Sequence, residues 1–245
     1  MNASKSFQQT GFTSRDRALG MAGAWTAFVL NEAYAVVSGL GYLSVKSPSS
    51  PVGDPYLSMM SGLIVLMAPF LVITMVAVHA YAAPQWKSYS LAALAFMIML
   101  ATLTSTVNFA LLTAARQPTG ATSTWAASFI PSGWPPVPQA LDFFAWDWFF
   151  GLSMLLAAPV FGVGRLAKAV RALMLLTAAL CFLGLAWLPV SPPQATIIGI
   201  LGWGVAGPIV SLLLANLFTR LRPGSGQPQP PSIHESASPA KVPVR

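Results

Sequence analysis

Six stretches of the chain run for about twenty residues or more as nearly uncharged apolar sequence. They are Leu19 to Leu43, Tyr56 to Tyr81, Tyr89 to Thr113, Ala140 to Val163, Ala169 to Leu188 and Ala195 to Phe218. About 20 apolar residues wound as a helix cross roughly 30 Å of hydrocarbon. Long unbroken runs exclude a transmembrane barrel, whose strands would alternate in polarity over about ten residues. Composition agrees: charged residues are 8% of the 245 positions and hydrophobic ones 55%, whereas a soluble domain carries roughly 25% charge. The expected fold is an all-α integral membrane protein, a six-transmembrane-helix bundle. Its three parts are a segment 1–18, a transmembrane domain 19–219 and a disordered tail 220–245.

Threading follows from where Lys and Arg fall. One side collects Lys5, Arg15, Arg17, Lys87, Arg165, Lys168, Arg171, Arg220, Arg222, Lys241 and Arg245, and the other only Lys46 and Arg116. Eleven against two places both termini in the cytoplasm of a bacterial-type inner membrane. The net charge of +7 sits at span ends instead of forming a basic surface, so nucleic acid is not an expected partner. A basic start, the run Met21 to Leu30 and Ala33-Tyr34-Ala35 resemble a cleavable signal peptide. Asn31 and Glu32 interrupt that run and apolar sequence resumes beyond it, so the first span is expected to stay. The tail from Leu221 is rich in Pro, Ser and Gln and has too little apolar surface to offset chain entropy. The loop Arg116 to Gln139 carries Trp125, Phe129, Ile130, Trp134, Pro135 and Pro136, which suits an interfacial anchor, or else a lid over a pocket.

Three of the six acidic residues fall inside spans: Glu32, Asp142 and Asp147. No Lys or Arg lies at their depth to pair with them: Arg171, at the cytoplasmic edge of the fifth span, is the only one within these bounds. Each costs roughly 2.5–3.5 kcal/mol at a helix centre, and such groups face a bundle interior or water. By helical rise, Glu32 lies roughly 20 Å above the cytoplasmic edge and Asp147 roughly 10 Å below the opposite one. Both levels fall in the outer half, with Asp142 nearer the mouth and Asn108 of the third span alongside. Asn31, Tyr34, Ser38 and Tyr42 form a stripe beside Glu32. Thr102, Ser105 and Asn108 repeat at steps of three, and Asp142, Trp146, Phe149 and Ser153 share a face. Asp142 and Asp147, five apart, stand roughly 140° from each other on an α-helix.

The expected ligand-binding set is therefore Glu32, Asp147, Asp142, Asn31, Asn108, Tyr34 and Trp146. In the favoured reading an outward-facing polar cavity binds or transports a small molecule or cation. Glu32 and Asp147 hold the charge, and Trp146 walls the site. A second reading makes the acids interhelical glue in a non-catalytic membrane subunit or assembly factor. A third makes the chain a membrane enzyme acting on a lipid, with two carboxyls as acid and base; whether it is an enzyme stays open. No cofactor is expected: His79 is the only histidine in a span, and phosphate loops, nucleophile elbows and HExxH pairs are missing from the sequence. Cys181 reads as a small apolar residue. In the sixth span Gly199, Gly202, Gly204 and Gly207 offer a close-packing face, within the bundle or toward a second copy or membrane partner. Pro208 removes a backbone donor and predicts a kink.

Overall fold

The first helix begins where Thr13 and Asp16 satisfy each other's backbone. The Asp16 N–H donates to Thr13 Oγ1 at 3.2 Å, and the Thr13 N–H donates to Asp16 Oδ2 at 2.8 Å. This reciprocal box occupies N–H groups that a helix start leaves open. From there α1 runs Ser14–Ser44 without a break. The computed structural model describes residues 12–45, 52–113, 137–187 and 192–221. The expectations for the tail, and for most of the aromatic loop, concern residues outside these.

Five more long helices follow. They are α2 (Tyr56–Tyr81), α3 (Lys87–Leu112, entered through a 3-10 turn at Pro84–Trp86), α4 (Val137–Val160), α5 (Arg165–Trp187) and α6 (192–220). Among the described residues there are no strands. Five helices are long and apolar enough to cross a membrane, so the chain is a membrane-embedded helical protein. By the same composition test α1 is not among them, because Ser14, Arg15, Asp16, Arg17, Asn31 and Glu32 dilute its apolar content. Between α4 and α5, Gly164 turns the chain with φ +91°, a left-handed conformation that only glycine adopts without cost.

Each helix packs on its neighbour in sequence, and α6 returns to pack on α1, closing a ring; α4 and α6 also touch across it. The α1 start and the α6 end are tied directly. Arg17 Nε donates to Phe218 O at 3.1 Å, and its Nη2 donates to Thr219 O at 3.0 Å. A cation on the last carbonyls of a helix satisfies acceptors and opposes the negative end of the helix dipole. Lys87 does the same for α2, donating to His79 O at 2.5 Å. His79 itself is paired with Ser90 Oγ at 2.9 Å, which is a local structural role. At this end of the ring four aromatic side chains meet. Phe12 stacks on Phe218 at 6.1 Å and meets Tyr81 edge-on at 5.8 Å, and Tyr81 stacks on Phe161 at 5.8 Å. Phe12, Phe161 and Phe218 are all buried, so the basic end of the bundle has an aromatic floor.

Two helices depart from α geometry. Within α4, residues Phe144–Phe150 are π-helical, and within α6 so are Leu201–Ala206. The second segment stops at Ala206, two residues before Pro208, where the missing N–H was expected to disturb the ladder. An i→i+5 turn is wider than an α turn. The 140° separation expected for Asp142 and Asp147 on an ideal α-helix is therefore too large for the observed one.

Replacing Arg17 by Ala should lower stability in mild detergent by about 1–2 kcal/mol, the scale of hydrogen bonds from a charged donor. Arg17→Lys should keep part of it, and Arg15→Ala, on the exposed side, should change little. A denaturant or thermal series on the purified full chain reads all three.

Candidate functional site

Asp142 enters the bundle near the start of α4, opposite α3, and its partners come from α3. Thr104 Oγ1 donates to Asp142 Oδ1 at 2.5 Å, and Asn108 Nδ2 reaches the same oxygen at 3.4 Å. The indole N–H of Trp146 donates to Thr104 Oγ1 at 3.1 Å. A chain of donors thus runs from the indole through a hydroxyl to the carboxyl. Asn108 is also held by Thr104 O at 2.9 Å. These contacts use neutral donors throughout, as expected where the basic side chains of the helices sit at their ends and none lies at the depth of Asp142. A charged acceptor makes each of them stronger than a neutral pair.

The rest of the site is a small, partly open pocket over this network. Asn31 and Tyr34 of α1, Ile64 and Met67 of α2, Asp142 and Trp146 of α4, and Trp203 of α6 line it. Its central space admits little more than a water molecule. Trp146 and Trp203 pack with ring centroids 5.6 Å apart and planes tilted by 40°, and so form its inner wall. The pocket lies on the far side of the ring from the aromatic floor.

The structure brings together Asn31, Tyr34, Asn108, Asp142 and Trp146 of the expected set. It does not bring Glu32 to them. Asn31 is buried, but its neighbour Glu32 is exposed on the outer face of α1, one residue and about 100° round the helix. There it continues an outward stripe of Trp25, Val29, Val36 and Leu43. Tyr42, the end of the expected polar stripe, is also outside, 66% exposed. Asp147 is buried at 4% exposure but points elsewhere: a Cβ placed on Gly199 of α6 would lie 2.7 Å from its Oδ1. The two carboxyls required for acid and base work on one lipid, Glu32 and Asp147, are on different sides of the bundle wall.

Two residues of the site escaped the sequence reading. Thr104 was missed because the third span was read at steps of three through Thr102, which is exposed. The step of four from Thr104 to Asn108 marks the buried face and could have found it. Trp203 sat among apolar residues, with no signal to separate it from an ordinary core aromatic. The glycine face of α6 is covered from within the chain: Gly202 meets Cys181 of α5 and Gly207 meets Phe150 of α4. Among the described residues no three of His, Cys, Asp and Glu gather as a ligand set. Comparison with family models, curated proteins and solved structures gives no match.

Thr104→Val should cost about 1–3 kcal/mol, because it strands the buried Trp146 N–H and an Asp142 oxygen together. Thr102→Val, outside the network, should stay within about 0.5 kcal/mol. Parallel unfolding curves decide it, and equal losses would mean that the hydroxyl bridge carries no stability.

Proposed function

We propose that this protein is a six-span inner-membrane protein, cytoplasmic at both ends, that binds and carries a small cation, the proton included, through a cavity opening outward. The observation that carries this reading is the Asp142 carboxyl, held by Thr104 and Asn108 at the edge of a pocket with room for a water-sized occupant. Intramembrane acids that face a cavity and lack a basic partner mark ion and proton pathways. Pocket size argues against a lipid or a bulky organic substrate. The oxygens of Asp142, Asn31 and Tyr34 are hard ligands suited to a proton or an alkali cation, not to a soft metal.

Direction is supported by the aromatic floor. Phe12, Tyr81, Phe161 and Phe218 lie at the basic end, the cytoplasmic side by the Lys and Arg count, so the pocket faces away from the cytoplasm. The sixth span would be α1, whose 31 residues extend about 46 Å, beyond the roughly 30 Å required. Single cysteines at Ser14 and Ser44, in a Cys181→Ala background, should label from opposite sides of sealed vesicles. Labelling from the same side would remove α1 from the spans and one pocket wall from the membrane.

The full chain in liposomes, driven by a potassium diffusion potential and read with a trapped pH dye or with labelled sodium, tests transport. Asp142→Asn should reduce flux to that of empty vesicles, and Glu32→Gln should leave it unchanged. Wild-type flux in Asp142→Asn sinks the reading. The non-catalytic subunit is favoured by one observation, the outward carboxyl of Glu32 in an apolar stripe. Loss of a co-purifying membrane partner on Glu32→Gln, with no flux in any variant, would establish it.

A further inference from the structure

We propose that Asp147 is a second, inner proton-carrying group, and that a proton passes to it from Asp142 by way of a water molecule beside Trp203. This deepens the cavity reading and rests on it. Asp147 is buried at 4% exposure, and its Oδ1 has no hydrogen-bond partner. A buried acceptor left open normally costs about 1–3 kcal/mol, and a native chain that keeps one calls for an explanation. An oxygen that is unengaged can take a proton without first breaking a hydrogen bond.

The surroundings fit transfer better than structure. Three groups from other helices face Asp147. Gly199 of α6 presents bare backbone, where a Cβ would stand 2.7 and 3.0 Å from the two carboxyl oxygens. Trp203 of α6 turns its indole N–H toward the carboxyl without completing a hydrogen bond. Cys181 of α5 lies against Gly202 on the same side. No Lys, Arg or His is among them, so the carboxyl can lose its charge only by taking up a proton. A larger cation has no room where Gly199 presses on both oxygens.

Trp203 is shared by the two carboxyls. Its ring lines the Asp142 pocket while its N–H is directed at Asp147. Both Asp147 and Trp203 sit in π-helical segments, Phe144–Phe150 and Leu201–Ala206, which touch across the ring. Such segments are frequent at functional sites. In the transfer the O–H bond of protonated Asp142 breaks, water relays the proton, and an O–H bond forms at Asp147 Oδ1. Asp142 is left as a carboxylate on the Thr104 hydroxyl and the Asn108 amide. Trp203 keeps its proton and stabilises the Asp147 carboxylate once that proton has moved on. One turn further toward the basic end, Thr177 of α5 is fully buried with its hydroxyl also unpartnered, a further acceptor along the same line.

The test is proton flux through the full chain in liposomes under a valinomycin-set potassium potential, with infrared difference spectra of the same membranes between acid and alkaline buffer. Asp147→Asn should lower flux by about a hundredfold, the scale of losing a positioned acid or base. It should also remove one carboxyl band while the Asp142 band, identified by Asp142→Asn, persists. Trp203→Phe, which keeps a ring and loses the N–H, should slow flux without removing either band. Should Asp147→Asn fail to fold, Asp147→Glu must support flux where Asp147→Ala does not. Undiminished flux in Asp147→Asn, with flux still lost in Asp142→Asn, overturns this inference and leaves the cavity reading standing. Flux that survives Asp142→Asn, or wild-type flux no greater than that of empty vesicles, overturns both.

Discussion

An acid carried into a helical membrane bundle without a basic residue at the same depth has to be satisfied by neutral donors, and this need organises the middle of the molecule. Asp142 meets it with Thr104 and Asn108, and Thr104 in turn takes the Trp146 N–H. These groups come from two consecutive helices, 34 to 42 residues apart in sequence. The network therefore ties the rotation of α3 to that of α4. Hydrogen bonds between membrane helices are individually modest, about 0.6 kcal/mol on average. A linked set gains by holding several rotamers with one alignment. The same alignment points the second tryptophan wall, Trp203, at the pocket from α6.

The π-helical segments show how α4 places two aspartates in different surroundings on one helix. On a regular α-helix five residues would separate Asp142 and Asp147 by roughly 140°. The wider turn at Phe144–Phe150 reduces that angle, so both carboxyls stay inside the ring. One then faces α3 and the pocket, and the other faces α6. In α6 the matching irregularity has an identifiable source. Pro208 cannot donate a backbone hydrogen bond, and the widened segment lies within the turn that precedes it, ending at Ala206. Gly199, Gly202 and Gly207 let α6 approach closely enough to press on Asp147, Cys181 and Phe150. Small residues at a membrane helix interface commonly allow such an approach.

Much of this was legible in the chain because hydrophobic run length and the positions of Pro and Gly are local properties. Tyr56 to Tyr81 was delimited to the residue and the four membrane-length helices after it to within about a turn, while the helix around Leu19 to Leu43 starts five residues earlier, at Ser14. Membership of the polar layer could also be read from depth, which brought Asn31, Tyr34, Asn108, Asp142 and Trp146 into one neighbourhood. Rotation was harder. Depth places Glu32 at the level of the others, but one residue of helix turns its side chain about 100°, out of the bundle. Nothing in a single sequence says which face of α1 meets α2. Trp203 was lost for the same reason, since azimuth depends on helix packing order, a property of the closed ring; Thr104 was within reach of the four-residue step to Asn108.

That ring also separates the two ends of the molecule chemically. At the basic end Arg17 and Lys87 cap the C-termini of α6 and α2, and Phe12, Tyr81, Phe161 and Phe218 fill the space between the helices. Toward the other end the interior is polar around Asp142 and then opens. There Asn31, Tyr34 and Asp142 line one pocket, with Trp146 and Trp203 beside them. Under the proposed carriage of a cation, closure at one end and a polar interior at the other would suit one state of alternating access. Passage to the basic end would then need the aromatic floor to part, and three of its four rings are carried by the ends of α2, α4 and α6. Both π-helical segments lie above that floor, on α4 and α6. Phe161 and Phe218 follow those segments along the chain, so the widened turns stand between the pocket and the aromatic floor.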